Sequence, residues 1–211
     1  MKILFIGGTG IISTACAELA VQRGLDLTLL NRGNRQTIAG TSQIVADIND
    51  VAATQKALGE TCWDVVVDFI SFHPDDLKKR LEIFRDRVGQ FIFISTASAY
   101  QKPIIDYLVT ESTPLVNPFW PYSRDKIDCE LYLDNELREN DFPVTIIRPS
   151  FTYSETVIPL SFNSWERPYT VIDRMRKGLP VIIPGDGTSL WQLTHNADFA
   201  KGLLGLFGHQ G

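Results

Sequence analysis

The chain has 211 residues, 44% of them hydrophobic, which suits one domain with a substantial core and excludes a disordered polymer. Its formal net charge is −5, and its basic residues are interleaved with acids, as in KKRLEIFRDR, so no generic nucleic-acid footprint is present. No apolar run reaches the roughly 18 residues that span a bilayer, the start MKILFIGGTG lacks a secretory cleavage pattern, and Cys16, Cys62 and Cys129 stand singly. These features lead us to expect a cytoplasmic protein with reduced thiols and with neither a membrane anchor nor a structural zinc site.

Short apolar runs alternate with helical patterns from the first residue. Lys2 to Ile6 reads as a buried strand, Ile11 to Arg23 as a helix ended by Gly24, and Leu25 to Leu30 as a second strand. Gln43 to Ala46 is a short strand, Asn49 to Leu58 a helix, and Val65 to Ile70 a strand. Pro74 to Val88 reads as a helix with proline at its start and Gly89 at its end. Phe91 to Ser95 is another strand, Tyr122 to Glu139 a helix with Ile127, Leu131 and Leu137 on one stripe, and Val144 to Ile147 a strand. This alternation predicts an α/β fold, a doubly wound parallel sheet of the Rossmann type. It occupies residues 1–149, with a small, partial substrate region over 150–211.

In that later region FTYSETVIPLSFNSWERPYT has no clear period and reads as irregular. Arg167 to Lys177 follows as a helix, Val181 to Ile183 as a short strand and Ala197 to Phe207 as a last helix. Ligands of doubly wound proteins bind beyond the carboxyl ends of the strands, so substrate contacts are expected here.

The first strand runs straight into GGTGII, giving Gly7-x-x-Gly10-x-x-Ser13 at a strand-to-helix turn. Such a loop lets backbone amides and a helix amino end approach a pyrophosphate. Ser13 stands where a third glycine is usual. The second strand ends in LTLLNRGNR. A carboxylate there would accept from the ribose 2′-hydroxyl of NAD. Asn31 and Arg32 supply none, and the positive charge suits a 2′-phosphate, so NADP is expected, with NAD the other possibility. In VADIND, Asp47 is placed either to meet an adenine amino group or to cap the following helix.

A tyrosine and a lysine four residues apart, Tyr122 and Lys126, share one face of the helix that opens PYSRDK. A free tyrosine titrates near 10, so work near neutrality needs about 4 kcal/mol of phenolate stabilisation. One neighbouring cation supplies about 1–3 units of that shift, so Lys126 helps and an oxidised nicotinamide adds more.

The pieces GGTGII, WDVVVDFI, FISTASAY, YSRDK, TIIRPSFTY and IPGDG followed by LTHNADFA span nearly the whole chain. Together they resemble the NAD(P)-dependent epimerase/dehydratase family of the extended short-chain dehydrogenase/reductase superfamily. The resemblance implies Tyr122 as general acid/base, Lys126 as anchor of the nicotinamide ribose, and Thr96 as polariser of the substrate oxygen, with Ser95 and Ser98 close by. Its implied cofactor contacts are Gly7, Gly10, Ile11, Ile12, Asn31, Arg32, Asp47, Ile48, Phe69 and Lys126. It further implies a sugar or nucleotide-sugar-like small-molecule substrate, epimerase, dehydratase or reductase chemistry, and a homodimer paired through the Tyr122 helix. The stretch GDGTSLWQLTHNAD lacks the arginine that often meets a diphosphate in nucleotide-sugar enzymes. Phe162, Trp165 and Trp191 are either packing or ring platforms; His195 reads as a structural residue beside Asp198, and His73 as a loop or cap residue. Family members usually continue well past LTHNADFA, which implies an incomplete substrate lobe. PVIIPGDGTSLWQLTHNADFAKG also resembles chloroplast stem-loop RNA-binding relatives of the superfamily. The alternatives are therefore a non-catalytic dinucleotide- or RNA-binding member, the latter disfavoured by the acidic balance, or an inactive fragment.

Overall fold

The fold was examined in a computed structural model, which describes residues 1–160, 166–183, 185–188 and 190–209. Eight strands and six helices follow in the order β1 (Lys2–Ile6), α1 (Ile11–Gln22), β2 (Asp26–Asn31), β3 (Ser42–Val45), α2 (Val51–Leu58), β4 (Trp63–Asp68), α3 (Pro74–Phe84), β5 (Val88–Ile94), α4 (Pro121–Asn140), β6 (Val144–Ile147), β7 (Phe151–Tyr153), α5 (Thr170–Arg176), β8 (Leu193–His195) and α6 (Asn196–Gly205). A 3₁₀ turn at Ala97–Ala99 follows β5.

Six strands form one parallel sheet in the order β3-β2-β1-β4-β5-β6. Ile3 pairs with Leu27 on one side and Val65 on the other, and Phe93 pairs with Asp68 and Ile146. The direction of winding reverses between β1 and β4, and a crevice opens at the carboxyl ends of the strands where it does so.

Strand side chains alternate between the two faces, and so does the core. Ile3, Phe5, Leu27, Leu29, Val65 and Val67 pack with Ala17 and Ala20 of α1 and with Phe199 and Leu203 of α6. Leu4, Ile6, Leu30, Val66, Phe91 and Phe93 pack on the other face with Leu77 and Leu81 of α3 and Leu133 of α4. Each face buries aliphatic and aromatic area worth about 25 cal/mol per Å².

The structure departs from the expected elements in several places. Helix α3 stops at Phe84, and Gly89 lies inside β5, where a Cβ would meet the Asp64 carbonyl at 3.0 Å. That glycine marks a close backbone approach; it does not end a helix. Residues 181–183 form no strand; the pairing partner in this region is β8, joined in parallel to β7 with Tyr153 opposite His195. The expected stripe on α4 is outside in part: Leu131 and Leu137 are exposed, while Ser123, Lys126, Cys129, Glu130, Leu133 and Glu136 are buried. Partners for those polar groups, described below, make the inversion stable. The expected irregular stretch contains β7.

Candidate active site

At the amino end of α1, Gly7 (φ 102°) and Gly8 (φ 95°) turn the chain from β1 into the crevice. A Cβ at Gly8 would stand 2.7 Å from Leu29 Cδ2, and one at Gly7 3.0 Å from Ile70 Cγ2, so both positions are closed to side chains. Ser13, buried where a third glycine is usual, uses its Oγ to accept a 2.8 Å hydrogen bond from the Gly10 amide. The imperfect third position is therefore a cap on the loop.

A groove of about 480 Å³ runs over this turn. It is lined by the glycines, by Asn31, Arg32 and Arg35 after β2, by Asp47 and Ile48 after β3, and by Phe69 and Phe72 after β4. Gly7, Gly10, Asn31, Arg32, Asp47, Ile48 and Phe69 are brought together there. Ile11 is exposed, its carbonyl accepting from Asn196 Nδ2, and Ile12 packs against the core. Asp47 accepts from the Asn49 amide, while the α2 cap is Asp50, which accepts from Ala53. A second depression of similar volume lies at the opposite end of the sheet, between Met1, Asp64 and Gly208.

Asn31 is fixed in orientation because its Oδ1 accepts from the Gly33 amide and from Gln43 Nε2, each at 2.9 Å. Its Nδ2 is buried and has no hydrogen-bond partner among the described residues. The free group at the end of β2 is thus a donor. Arg35 lies across the glycine turn, donating to the Thr9 carbonyl at 2.6 Å. Donors and a guanidinium around the crevice suit an anionic ligand.

Tyr122, Lys126 and Thr96 are not among the residues that line the groove; Phe72, which is, touches both the tyrosine and the lysine. Pro121 opens α4, so Tyr122 and Lys126 project from its first turns toward the ends of β4 and β5. Lys126 is 2% exposed; its Nζ donates to the carbonyls of Ser71 (2.7 Å) and Ile94 (2.8 Å) and lies over the rings of Phe72 and Phe93. Burial lowers its pKa, and the nearby Asp68 carboxylate opposes that. Asp68 is buried too, accepting from the Ile70 and Ser71 amides and the Ser71 hydroxyl. Two of the three ammonium protons are committed to backbone, leaving one for a ligand.

Tyr122 packs against Phe72 and Trp120. Burial raises its pKa above the ordinary tyrosine value, and a hydrogen bond with Thr96 works in the other direction. Of the three hydroxyls after β5, Ser95 is turned away to Glu130, Ser98 bonds Thr96 and Ser123, and Thr96 is near enough to the phenol to lower its pKa. His195 caps α6 through Nδ1 and stands 3.5 Å from Glu155, whereas Asp198 pairs with Lys201. His73 occupies the cap position of α3 and lies 3.5 Å from Asp125. Trp191 packs edge-on against Phe151; Phe162 and Trp165 lie outside the described residues. Among the described residues no helix is long and apolar enough to cross a membrane. Phe72 was not legible in the sequence, since nothing in SFHPDD signals a ring that touches both Tyr122 and Lys126.

A glycine turn at the switch point of a doubly wound parallel sheet, with a donor-rich groove beside it, defines a protein of the dinucleotide-binding Rossmann class. Residues 3–210 match the model of the NAD dependent epimerase/dehydratase family, and the chain belongs to that family. It is 27% identical, over 99% of its own length and 56% of the relative's, to the chloroplast stem-loop binding protein of 41 kDa b of Arabidopsis thaliana. It is 29% identical to the UDP-glucose 4-epimerase of Lactobacillus helveticus, over 62% of this chain and 45% of that one. The chain thus spans about half the length of these curated relatives. The crystal structure of dTDP-glucose 4,6-dehydratase from Bacillus anthracis, in complex with NAD, superposes with a TM-score of 0.79 at 18% identity, covering 100% of this chain and 72% of that chain.

Proposed function

We propose that the chain is an NAD(P)-dependent epimerase, dehydratase or reductase acting at a carbinol or carbonyl carbon of a sugar or nucleotide-sugar-like substrate. The observation that carries this reading is the placement of Tyr122 and the buried Lys126 one turn apart on α4, both against Phe72 of the groove, with Thr96 near the phenol. Gly7, Gly8 and Gly10 leave room for a pyrophosphate at the start of α1, and Lys126 holds one proton in reserve for a ribose hydroxyl. Arg32 and Arg35 put positive charge where NAD would call for an acceptor, which supports NADP. A bound nicotinamide supplies the hydride acceptor or donor.

The protein's own part is proton transfer. Burial keeps Tyr122 protonated at neutral pH, so it is ready to donate to a substrate oxygen, and Thr96 donates a second hydrogen bond to that oxygen. Taking the proton back requires added positive charge near the phenol. Pairing of two chains through α4 belongs to the same proposal.

The test combines binding and turnover. NADPH and NADH are titrated by nicotinamide fluorescence, and absorbance near 340 nm is followed with NADP and a panel of sugars and nucleotide sugars. Tighter binding of NADPH and turnover abolished in Tyr122→Phe, with cofactor affinity held within a few fold, are expected. Equal or tighter NADH binding overturns the NADP assignment; retained turnover in the variant overturns the mechanism.

A second reading, a non-catalytic RNA-binding module, is favoured by the similarity to the stem-loop binding protein over 99% of this chain. The net charge of −5 weighs against it. Salt-resistant retention of a stem-loop RNA in a gel-shift assay would establish it.

A further inference from the structure

Trp120 is 52% exposed, yet its ring centroid lies 4.8 Å from that of Tyr122, with the planes tilted by 45°. The phenol ring also lies 6.1 Å from that of Phe72, which lines the groove. The phenol therefore packs with two aromatic rings, one that lines the groove and one that is exposed.

The segment carrying Trp120 is built rigidly. Asn117, 6% exposed, donates from Nδ2 to the Ser98 carbonyl at 2.8 Å and accepts from the Phe119 amide at 3.1 Å. Arg124 donates to the Pro118 carbonyl at 2.7 Å. The Trp120 carbonyl accepts from the Ser123 and Arg124 amides, and Pro121 fixes the next φ. An exposed ring whose backbone is already ordered gives contact area at small entropic cost.

We infer that Trp120 is the stacking platform for the substrate ring, receiving the C–H face of a pyranose whose carbinol oxygen lies at Tyr122. This rests on the sugar-directed reading above and adds a specificity contact to it. The indole orients the ring by its apolar face, and the phenol and Thr96 take the polar edge. A pyranose has both kinds of surface; a flat aromatic or a short acyl substrate has not.

The test uses Trp120→Ala and Trp120→Phe with NADPH bound, and measures equilibrium binding of UDP-glucose, UDP and free D-glucose by calorimetry alongside any turnover. An aromatic contact of this kind is worth about tenfold in affinity. The expected result is a loss of about tenfold for UDP-glucose or D-glucose in Trp120→Ala, near-full retention in Trp120→Phe, and unchanged NADPH and UDP affinity. In a wild type that turns over, KM rises while kcat holds. If the wild type binds a sugar without turning it over and Trp120→Ala weakens that binding, the platform stands and the catalytic reading fails. If Trp120→Ala leaves sugar affinity and KM unchanged, if UDP affinity falls equally, or if no sugar binds the wild type, the platform is overturned.

Discussion

The Lys126 ammonium donates a 2.7 Å hydrogen bond to the carbonyl oxygen of Ser71, tying helix α4 to the loop that follows β4. A second bond to Ile94 ties the same helix to the end of β5. Lys126 therefore joins α4 to two segments at the carboxyl ends of the sheet strands. Replacing it by methionine keeps the stem volume but orphans two buried carbonyls, each worth about 1–3 kcal/mol, offset in part by relief of the buried charge. Lys126→Met should lower stability by about 2 kcal/mol, read as a lower urea midpoint at constant slope. An unchanged midpoint would mean that the two carbonyls find other partners.

The glycines of the phosphate turn are not equivalent. Gly8 has φ 95° and its Cβ would strike Leu29, whereas Gly10 has φ −96° and a Cβ there meets only Ser13 Oγ at 3.4 Å. Gly8→Ala should cost about 2 kcal/mol or more and abolish cofactor binding, while Gly10→Ala should fold with a loss under about 1 kcal/mol. Thermal unfolding and NADPH titration of the two variants side by side would reveal equal losses if sterics at Gly8 were not decisive.

How much of this was legible beforehand depended on where the determining contacts lie. The strands β1, β2 and β4 to β6 were readable because a parallel strand covered on both faces is a continuous apolar run. The glycine turn was readable because it follows such a run directly. The buried face of α4 was not, since Lys126, Glu130 and Glu136 are inside only by virtue of partners on distant strands, loops and helices. The pairing of Phe151–Tyr153 with Leu193–His195 joins segments about forty positions apart, beyond the reach of local pattern. Ser95 could not be set apart from Thr96 and Ser98 until it was seen bonded to Glu130.

The three cysteines separate into two chemical kinds. Burial pushes the thiols of Cys16 and Cys129 up to about 12, while Cys62 is exposed. One thiol per native chain should react rapidly with Ellman's reagent at pH 8, and three after unfolding. The same shift has a stability consequence. Between the ordinary thiol value of 9.0 and about 12 the folded chain retains protons that the unfolded chain has released. This stabilisation is complete below pH 9 and is lost as pH rises toward 12. Lys126, lowered by burial, acts with the opposite sign in the alkaline range, so the urea midpoint of the wild type must be compared with that of Cys16→Ala/Cys129→Ala. The variant should lose less stability between pH 8 and 10.5; an equal loss would exclude the thiols as its source.

Glu130 is 2% exposed and sits four residues beyond Lys126 on the same face of α4. It accepts from the Ser95 hydroxyl and, in a fork, from Arg148 Nε at 2.9 Å and Nη2 at 2.7 Å. Arg148 in turn donates to the Tyr100 hydroxyl at 3.0 Å and stacks on that ring, and the Glu130 bond, the largest cause, holds its pKa well above the usual guanidinium range. Removing one partner of such a pair leaves a buried charge without compensation, at a cost of about 3 kcal/mol here because Arg148 still reaches solvent. Removing both substitutes apolar packing for a desolvated pair. Glu130→Met and Arg148→Met should therefore each destabilise strongly, and the double variant should cost much less than their sum. The position of Ser95 beside Thr96 adds a second readout: amide exchange at the end of β5 should accelerate in Glu130→Met. Additive losses in the double-mutant cycle, with exchange unaltered at residues 94–96, would show that the pair neither couples energetically nor holds the Thr96 hydroxyl in place.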